Sequence, residues 1–401
     1  MFQFNSKGTS ISVEGFKVAG IHCGIKKQKK DIALIYSDIP SNAAGTFTLN
    51  KVSAAPNVIS KKIINQQNKV KAIFINSGIA NACTGVQGFN NALKSQSYLA
   101  SKMNIKPCEV IISSTGVIGK QLPIDKLLKG IDRIIPELSE DGWDNSAEAI
   151  LTTDLRKKSF SIKVQLKEGE ITLGGICKGS GMIMPNMATM LAFLTTDASI
   201  ESNVLQKLLT SSVNETFNKI SVDGETSTND MVILLANGIS NTKINGGSNN
   251  YNDFLEGLTA ICSEMAKAIV SDGEGATKLI NVIVKNACTK EDADAIAKSI
   301  VNSPLVKTAM NGNDPNWGRI LAVAGNSGVS FNPDKVTIKF DDLPILLPDY
   351  FADFNEEEAK QVLNKPEVTI QVDIAEGNES VTWRTCDLSE NYVRINSKYR
   401  T

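Results

Sequence analysis

The segment from Lys178 to Phe193 joins a glycine-rich turn, KGSG, to a methionine-rich apolar run, MIMPNMATMLAF, that holds one hydroxyl residue, Thr189. On residue types alone two readings are open. Methionines fill irregular cores, glycines make turns, and a threonine inside an apolar run often only bonds a nearby carbonyl. The second reading is a nucleophile. A threonine hydroxyl attacks poorly at neutral pH, and the usual remedy is a histidine base oriented by a carboxylate. This chain has one histidine, His22, close to Gly20 and Gly24, a setting more typical of a structural residue. A threonine at a chain terminus needs no histidine, because its own α-amino group, with a pKa of about 7.7–8.0, accepts the hydroxyl proton near the working pH. Making that amine demands cleavage of the preceding peptide bond.

Composition narrows the partners. The 401 residues are ample for a large core, as one domain or two lobes. With 42 basic against 43 acidic residues the formal net charge is −1, and no long Lys/Arg run offers a footprint for a nucleic-acid backbone or an anionic lipid surface. The opening MFQFNSKGTSISVEGF lacks a basic start, an apolar stretch and a small-residue cleavage site. Nowhere do about 18 apolar residues run together, so no membrane span is expected and the reading is a soluble, cytoplasmic protein. The seven cysteines are scattered, with no C-x-x-C pair, which suggests neither disulfides nor zinc and predicts buried small hydrophobes.

The elements that must position Thr189 alternate in type. Strand-like, β-branched runs occur at AIFIN (72–76), EVIIS (109–113), SIKVQL and ITL around the turn Lys167–Glu170, MVILLA (231–236), INVIVK (280–285), KVTIKF (335–340), VTIQVDI (368–374) and SVTWRTC (380–386). Helical spacing is seen in Leu205, Leu208, Leu209 and Phe217 after a Ser202 cap, in Leu255–Ile269 after Asp253, and from Glu291 to Val301 before Asn302-Ser303-Pro304. The mixture predicts an α/β or α+β layered fold. Asn245–Asn250 reads as a surface loop, and composition shows no domain boundary. Gly179 and Gly181 lack the third glycine of a dinucleotide fingerprint.

KGSGMIMPNMATML resembles the self-cleavage signature of the ornithine acetyltransferase family, the glutamate N-acetyltransferases of arginine biosynthesis. NSGIANACTG (76–85), SSTGVIG (113–119), ILTTD (150–154), SVDGETSTND (221–230), SDGEGATK (271–278), NGNDPNWGR (311–319) and RINSKYRT (394–401) resemble the same family in the same order. Ile79 stands where the family more often has Asn. The resemblance implies an α/β/β/α sandwich like that of N-terminal-nucleophile enzymes. It implies that Thr189 attacks the Ala188 carbonyl and that water opens the resulting ester, leaving an α chain, 1–188, and a β chain, 189–401, in an α2β2 assembly.

The same resemblance maps an oxyanion pair onto the Thr115 hydroxyl and the Gly116 N–H, and substrate-binding positions onto Thr152, Lys178, Thr189, Glu274, Asn396 and Thr401. An N-acetyl amino acid brings a carboxylate and ornithine an ammonium, so the pocket should hold donors and an acidic group. Taken singly, these residues have plainer readings: Thr115–Gly116 as a strand-ending turn, Lys178 as a solvated lysine, Glu274 as part of a surface turn, Asn396 and Thr401 as a frayed end. The implied reaction is ping-pong, moving acetyl from N-acetylornithine to glutamate, with no metal or prosthetic group and with acetyl-CoA as a further acetyl donor if the enzyme is bifunctional. The rivals are a self-processing aminopeptidase or amidase of similar fold, in which water resolves the acyl-enzyme, and a non-catalytic scaffold.

Overall fold

The architecture turns on one long strand, Ile32–Phe47. Its first half pairs antiparallel with Phe16–Ile21 and Val70–Ile79, and its second half with Met231–Ala236. Asp38, Ile39 and Pro40 between the halves are exposed, and Pro40 has no N–H to give to a ladder. The Ser37 hydroxyl donates to Ile39 O at 2.7 Å and Ser41 Oγ to Ser37 Oγ at 3.0 Å, so the bend satisfies its own polar groups. One strand thereby serves two sheet layers. In this computed structural model residues 2–4, 12–184 and 190–398 are described.

The alternation of side chains along these strands builds the layers. Ala33 and Ile35 face Ile233, Leu235, Ile176 and Phe193 across the gap between the two sheets. Their neighbours Leu34, Phe74 and Ile112 point outward beneath helices Ala55–Asn65, Gly85–Lys102 and Ile124–Ile134. On the other outer face Leu173, Leu194, Val232 and Leu234 meet helices Ser202–Glu215 and Asn249–Ser271. The expected α/β/β/α sandwich is therefore present. Each fully buried Ile, Leu or Phe contributes about 1.5–3 kcal/mol of burial free energy, which makes these three cores the main stabilising term.

A second lobe follows. Its six strands lie in the order Ile220–Ser221, Glu379–Cys386, Leu279–Ala287, Glu367–Asp373, Thr337–Phe340, Leu343–Leu346. Helices Lys290–Asn302, Pro304–Asn311, Trp317–Gly325 and Glu356–Leu363 cover it over a separate core that includes Val282, Ile300, Ile370 and Trp383. Composition does not mark this division, because both lobes are built from the same β-branched strands and amphipathic helices.

Several local expectations are corrected. Ser202 is the first residue of its helix rather than its cap, and its hydroxyl donates to Asn42 Oδ1 at 3.0 Å. The next helix begins at Asn249, not after Asp253, because Ser248 accepts the Tyr251 N–H, so the expected loop at 245–250 gives up its last two residues. Thr289 caps the helix Lys290–Asn302, and Ser303 caps a further helix started by Pro304. Of the cysteines, Cys177, Cys262 and Cys386 are buried, but Cys83 and Cys288 are exposed. Among the described residues no helix is long and apolar enough to cross a membrane.

Candidate active site

The strands Gly169–Lys178 and Leu191–Thr196 are neighbours, paired antiparallel with Lys178 opposite Leu191. Residues 179–184 thus lead out of one strand, and Met190 leads into the strand beside it. Three aspartates, Asp154 and Asp230 buried and Asp223 half-buried, grip the segments on either side through their backbone. Asp154 Oδ1 accepts the Gly179 N–H at 2.7 Å. Asp223 accepts Met182 N–H at 2.6 Å and Ile183 N–H at 2.8 Å. Beyond residues 185–189, Asp230 Oδ1 accepts the Met190 N–H at 3.0 Å. Ala188 and Thr189, the expected cleavage point, lie outside the described residues, as does Thr401.

Thr115 and Gly116 end the strand Val110–Val117, which runs parallel to Val70–Ile79 with Gly116 opposite Gly78. Gly116 has φ 128°, and a Cβ there would lie 2.3 Å from the Gly78 carbonyl carbon, so only glycine fits. The Asn229 amide donates to Ala80 O at 2.7 Å and Ser114 O at 2.8 Å, fastening the 227–230 loop to this turn. An N–H and a hydroxyl are so presented on a rigid strand end, the form an oxyanion site requires.

Lys178 is 2 % exposed, which rules out a solvated surface lysine. Its ammonium donates to Thr152 Oγ1 at 2.8 Å and lies 3.5 Å from Asp154 Oδ2. Asp154 also pairs with Lys158 at 2.9 Å, and Lys158 reaches Asp272 at 2.6 Å. Burial pushes the Asp154 carboxyl up, but the Lys178 and Lys158 ammoniums outweigh it and hold the group below the usual carboxylate range. Burial likewise lowers Lys158, yet Asp154 and Asp272 reverse the balance and keep it charged. Buried charges survive here because each is paired and hydrogen-bonded.

The acidic end of the site forms around Glu274. Its amide donates to Ser180 O at 2.8 Å, and its Oε2 accepts Asn396 Nδ2 at 2.8 Å. A Cβ on Gly181 would sit 2.5 Å from the Glu274 carboxyl carbon, so the glycine makes room for the carboxylate. Tyr392, on the helix Glu390–Asn396, donates from its hydroxyl to Asp223 Oδ2 at 3.3 Å. Burial, Asp223 and Glu274 raise the Tyr392 phenol, so it stays a donor. Burial also raises Asp223, against the pull of its backbone N–H partners and with the Glu274 charge adding to the rise.

One cavity is lined by Thr115, Gly116, Thr152, Lys178, Glu274 and Asn396, every expected site residue that is described. Asp223, Glu225, Asn229 and Tyr392 line it as well. The sequence motifs marked the segment holding Asp223, Glu225 and Asn229 but none of these residues individually, did not reach Tyr392, and did not single out Asp154, Asp230 or Asp272. They lie in loops or at element ends, where periodicity carries no signal. The NGNDPNWGR segment is not part of the cavity; it belongs to the second lobe, where Asn311 Nδ2 donates to Asp387 at 2.6 Å.

The model of the ArgJ family matches residues 17–401. The chain belongs to the ArgJ family. It is 46 % identical over 393 residues to the arginine biosynthesis bifunctional protein ArgJ of Thermotoga neapolitana, spanning 96 % of this chain and 99 % of that one. The corresponding protein of Streptococcus mutans is 45 % identical over 395 residues, with 98 % and 99 % covered. A crystal structure of the Bacillus halodurans ArgJ protein matches with 43 % identity and a TM-score of 0.51, covering 53 % of this chain and all of that one. This ArgJ-family chain is also similar to the Mycobacterium tuberculosis ornithine acetyltransferase solved with ornithine, at 32 % identity and a TM-score of 0.42, covering 46 % of this chain and 98 % of that one.

Proposed function

We propose that this ArgJ-family chain is an acetyltransferase of arginine biosynthesis that cuts itself between Ala188 and Thr189 and then carries acetyl on the Thr189 oxygen. The observation that carries the reading is the cavity that unites the Thr115–Gly116 pair, Lys178, Glu274 and Asn396 with the first part of the 179–190 connection. Because Lys178 and Leu191 sit opposite each other on paired strands, the 1–188 and 189–401 chains would share one sheet after the cut and stay together.

In the first half-reaction the Thr189 hydroxyl gives its proton to the Thr189 amine and attacks the acetyl carbon of N-acetylornithine. The developing oxyanion is met by the Thr115 hydroxyl and the Gly116 N–H. Lys178 offers positive charge to the substrate carboxylate, with Thr152 beside it, while the Glu274 side faces the amine-bearing part. Ornithine leaves with the proton. Glutamate's amine then attacks the acetyl ester and departs as N-acetylglutamate, regenerating the threonine. The name borne by the relatives, a bifunctional protein of arginine biosynthesis, supports acetyl-CoA as a second acetyl donor in the same pocket. The chemistry draws on these side chains and on no metal or prosthetic group. An α2β2 assembly and a cytoplasmic location complete the reading.

Intact-mass measurement of the purified protein beside Thr189→Ala tests it. Two fragments are expected for the parent and one uncut chain for the variant; a single full-length species in both removes the nucleophile. Incubating the parent with N-acetylornithine, with and without glutamate, separates transfer from hydrolysis, since free acetate as the main product means an amidase.

A further inference from the structure

The loop between the strands Phe16–Ile21 and Ile32–Phe47 carries four lysines, at 26, 27, 29 and 30. Lys27 and Lys29 are exposed, whereas Lys26 is half-buried. The loop backbone accounts for the difference. Asp31, fully buried, accepts the N–H groups of Cys23, Gly24, Ile25 and Lys26 at 2.6, 3.1, 2.7 and 2.9 Å. Four donors on one carboxylate draw the loop into a tight turn and fix where the Lys26 side chain sets out.

The Lys26 ammonium ends at the segment that leads into Thr152. It donates to Leu151 O at 2.6 Å and to Lys30 O at 2.9 Å, and lies 3.5 Å from Ala149 O, which also accepts the Ser77 hydroxyl. Ala149 closes the helix Trp143–Ala149, whose last carbonyls need donors and favour a cation. Leu151 is the residue before Thr152, and Thr152 Oγ1 accepts the Lys178 ammonium. The stem of Lys26 packs on Gly78, where a Cβ would stand 3.1 Å from Lys26 Cγ, and Gly78 pairs with Gly116. Burial lowers the Lys26 ammonium to about 8; Asp31 opposes that fall, the Lys178 and Lys29 charges add to it, and Asp154 opposes it. Lys26 is therefore close enough to the carboxylate-binding side of the cavity to feel its charge, although it does not line the cavity.

We propose that Lys26 is a positioning residue for the substrate carboxylate: its ammonium, held on Leu151 O, fixes the turn that sets Thr152 beside Lys178. The inference rests on the reading of Lys178 and Thr152 as the carboxylate side of an acetyltransferase pocket. Lys26 touches no substrate. It acts through the backbone of residues 149–151, so its loss lets Thr152 move and leaves Lys178 without a fixed partner on that side. The oxyanion turn is reached by the apolar stem alone, and a side chain that keeps the stem keeps the turn.

The test is Lys26→Met in the full chain, since methionine retains the stem against Gly78 and removes the ammonium. Acetyl transfer to glutamate is measured with N-acetylornithine and with its carboxamide, in which a neutral amide replaces the carboxylate. The parent should favour the acid in kcat/KM. In Lys26→Met that acid-over-amide ratio should fall about 10-fold, within the range commanded by a hydrogen bond to a charged group. The fall should lie in KM for the acid, with kcat little changed and the melting temperature confirming the fold. General damage to the site would lower both donors alike, so an unmoved ratio overturns the proposal, as does a fall carried by kcat. Should the methionine variant not fold, Lys26→Gln, whose shorter chain falls short of Leu151 O, is read by the same ratio. A parent that transfers no acetyl sinks the acetyltransferase reading, and a parent with no preference for the acid sinks the carboxylate role of Lys178. Either result takes this inference with it and is seen before any variant is made.

Discussion

Asn396 donates from Nδ2 to Glu274 Oε2 at 2.8 Å, tying the last helix to a turn 122 positions earlier in the chain. The helix Glu390–Asn396 is thereby part of the cavity wall. Removing the donor in Asn396→Ala frees the Glu274 carboxylate to move. A hydrogen bond to a charged group is worth about 1.5–3 kcal/mol, so KM for N-acetylornithine should rise about 10- to 100-fold. Steady-state kinetics should show kcat little changed and intact mass should show normal cutting.

Gly181 approaches the same carboxylate from the other side. A methyl group there would stand 2.5 Å from the Glu274 carboxyl carbon and from Oε2. Since the clash is with a side-chain end, Gly181→Ala should fold with a stability change of about 1 kcal/mol or less, yet displace Glu274. KM is expected to rise with the melting temperature almost unmoved.

The oxyanion turn separates chemistry from folding. Thr115→Val keeps the shape of a residue that is 4 % exposed and removes only the hydroxyl. kcat should fall about 100- to 1,000-fold in single-turnover acetyl transfer, the usual cost of one oxyanion donor. Gly116→Ala instead meets the Gly78 backbone at 2.3 Å with φ at 128°. It should lose about 1–3 kcal/mol or more of stability in denaturant unfolding as well as activity.

Asp154 makes a pH prediction. Burial raises its carboxyl, but Lys178 and Lys158 prevail and the folded value lies below the unfolded one, about 3.9. The ionised group therefore stabilises the fold above pH about 4, and that contribution is lost as pH falls further. Asp154→Asn leaves Lys158 and Lys178 buried with one partner fewer. It should cost about 3–5 kcal/mol at pH 7, with a flatter stability profile below pH 4, read by urea unfolding across pH.

Much of this was legible from the chain alone, and for a definite reason. Met231–Ala236 and Leu279–Ala287 announce themselves because β-branched, apolar residues have few other low-energy uses. The hairpin Lys158–Leu166 with Gly169–Lys178 was visible because its turn is glycine-bearing and its strands alternate. The short motifs also named the cavity wall, since Thr115, Gly116, Thr152, Lys178, Glu274 and Asn396 all meet there.

Other features needed the third dimension. Ile32–Phe47 reads as an unremarkable run, and only pairing to two different sets of strands makes it the hinge between layers. The cap at Ser248 prevailed over Asp253 because an available side-chain oxygen at the right φ and ψ outweighs helical periodicity further on. The sequence by itself determined which residue types face inward and which short motifs carry hydroxyl, glycine and carboxylate groups, because those are local properties of the chain. The tertiary structure alone decided that Asp154 is held by two lysines while Asp230 keeps an oxygen without a partner. A carboxylate's proton affinity depends on burial and on charges brought near from distant positions, and neither is a property of the residues beside it.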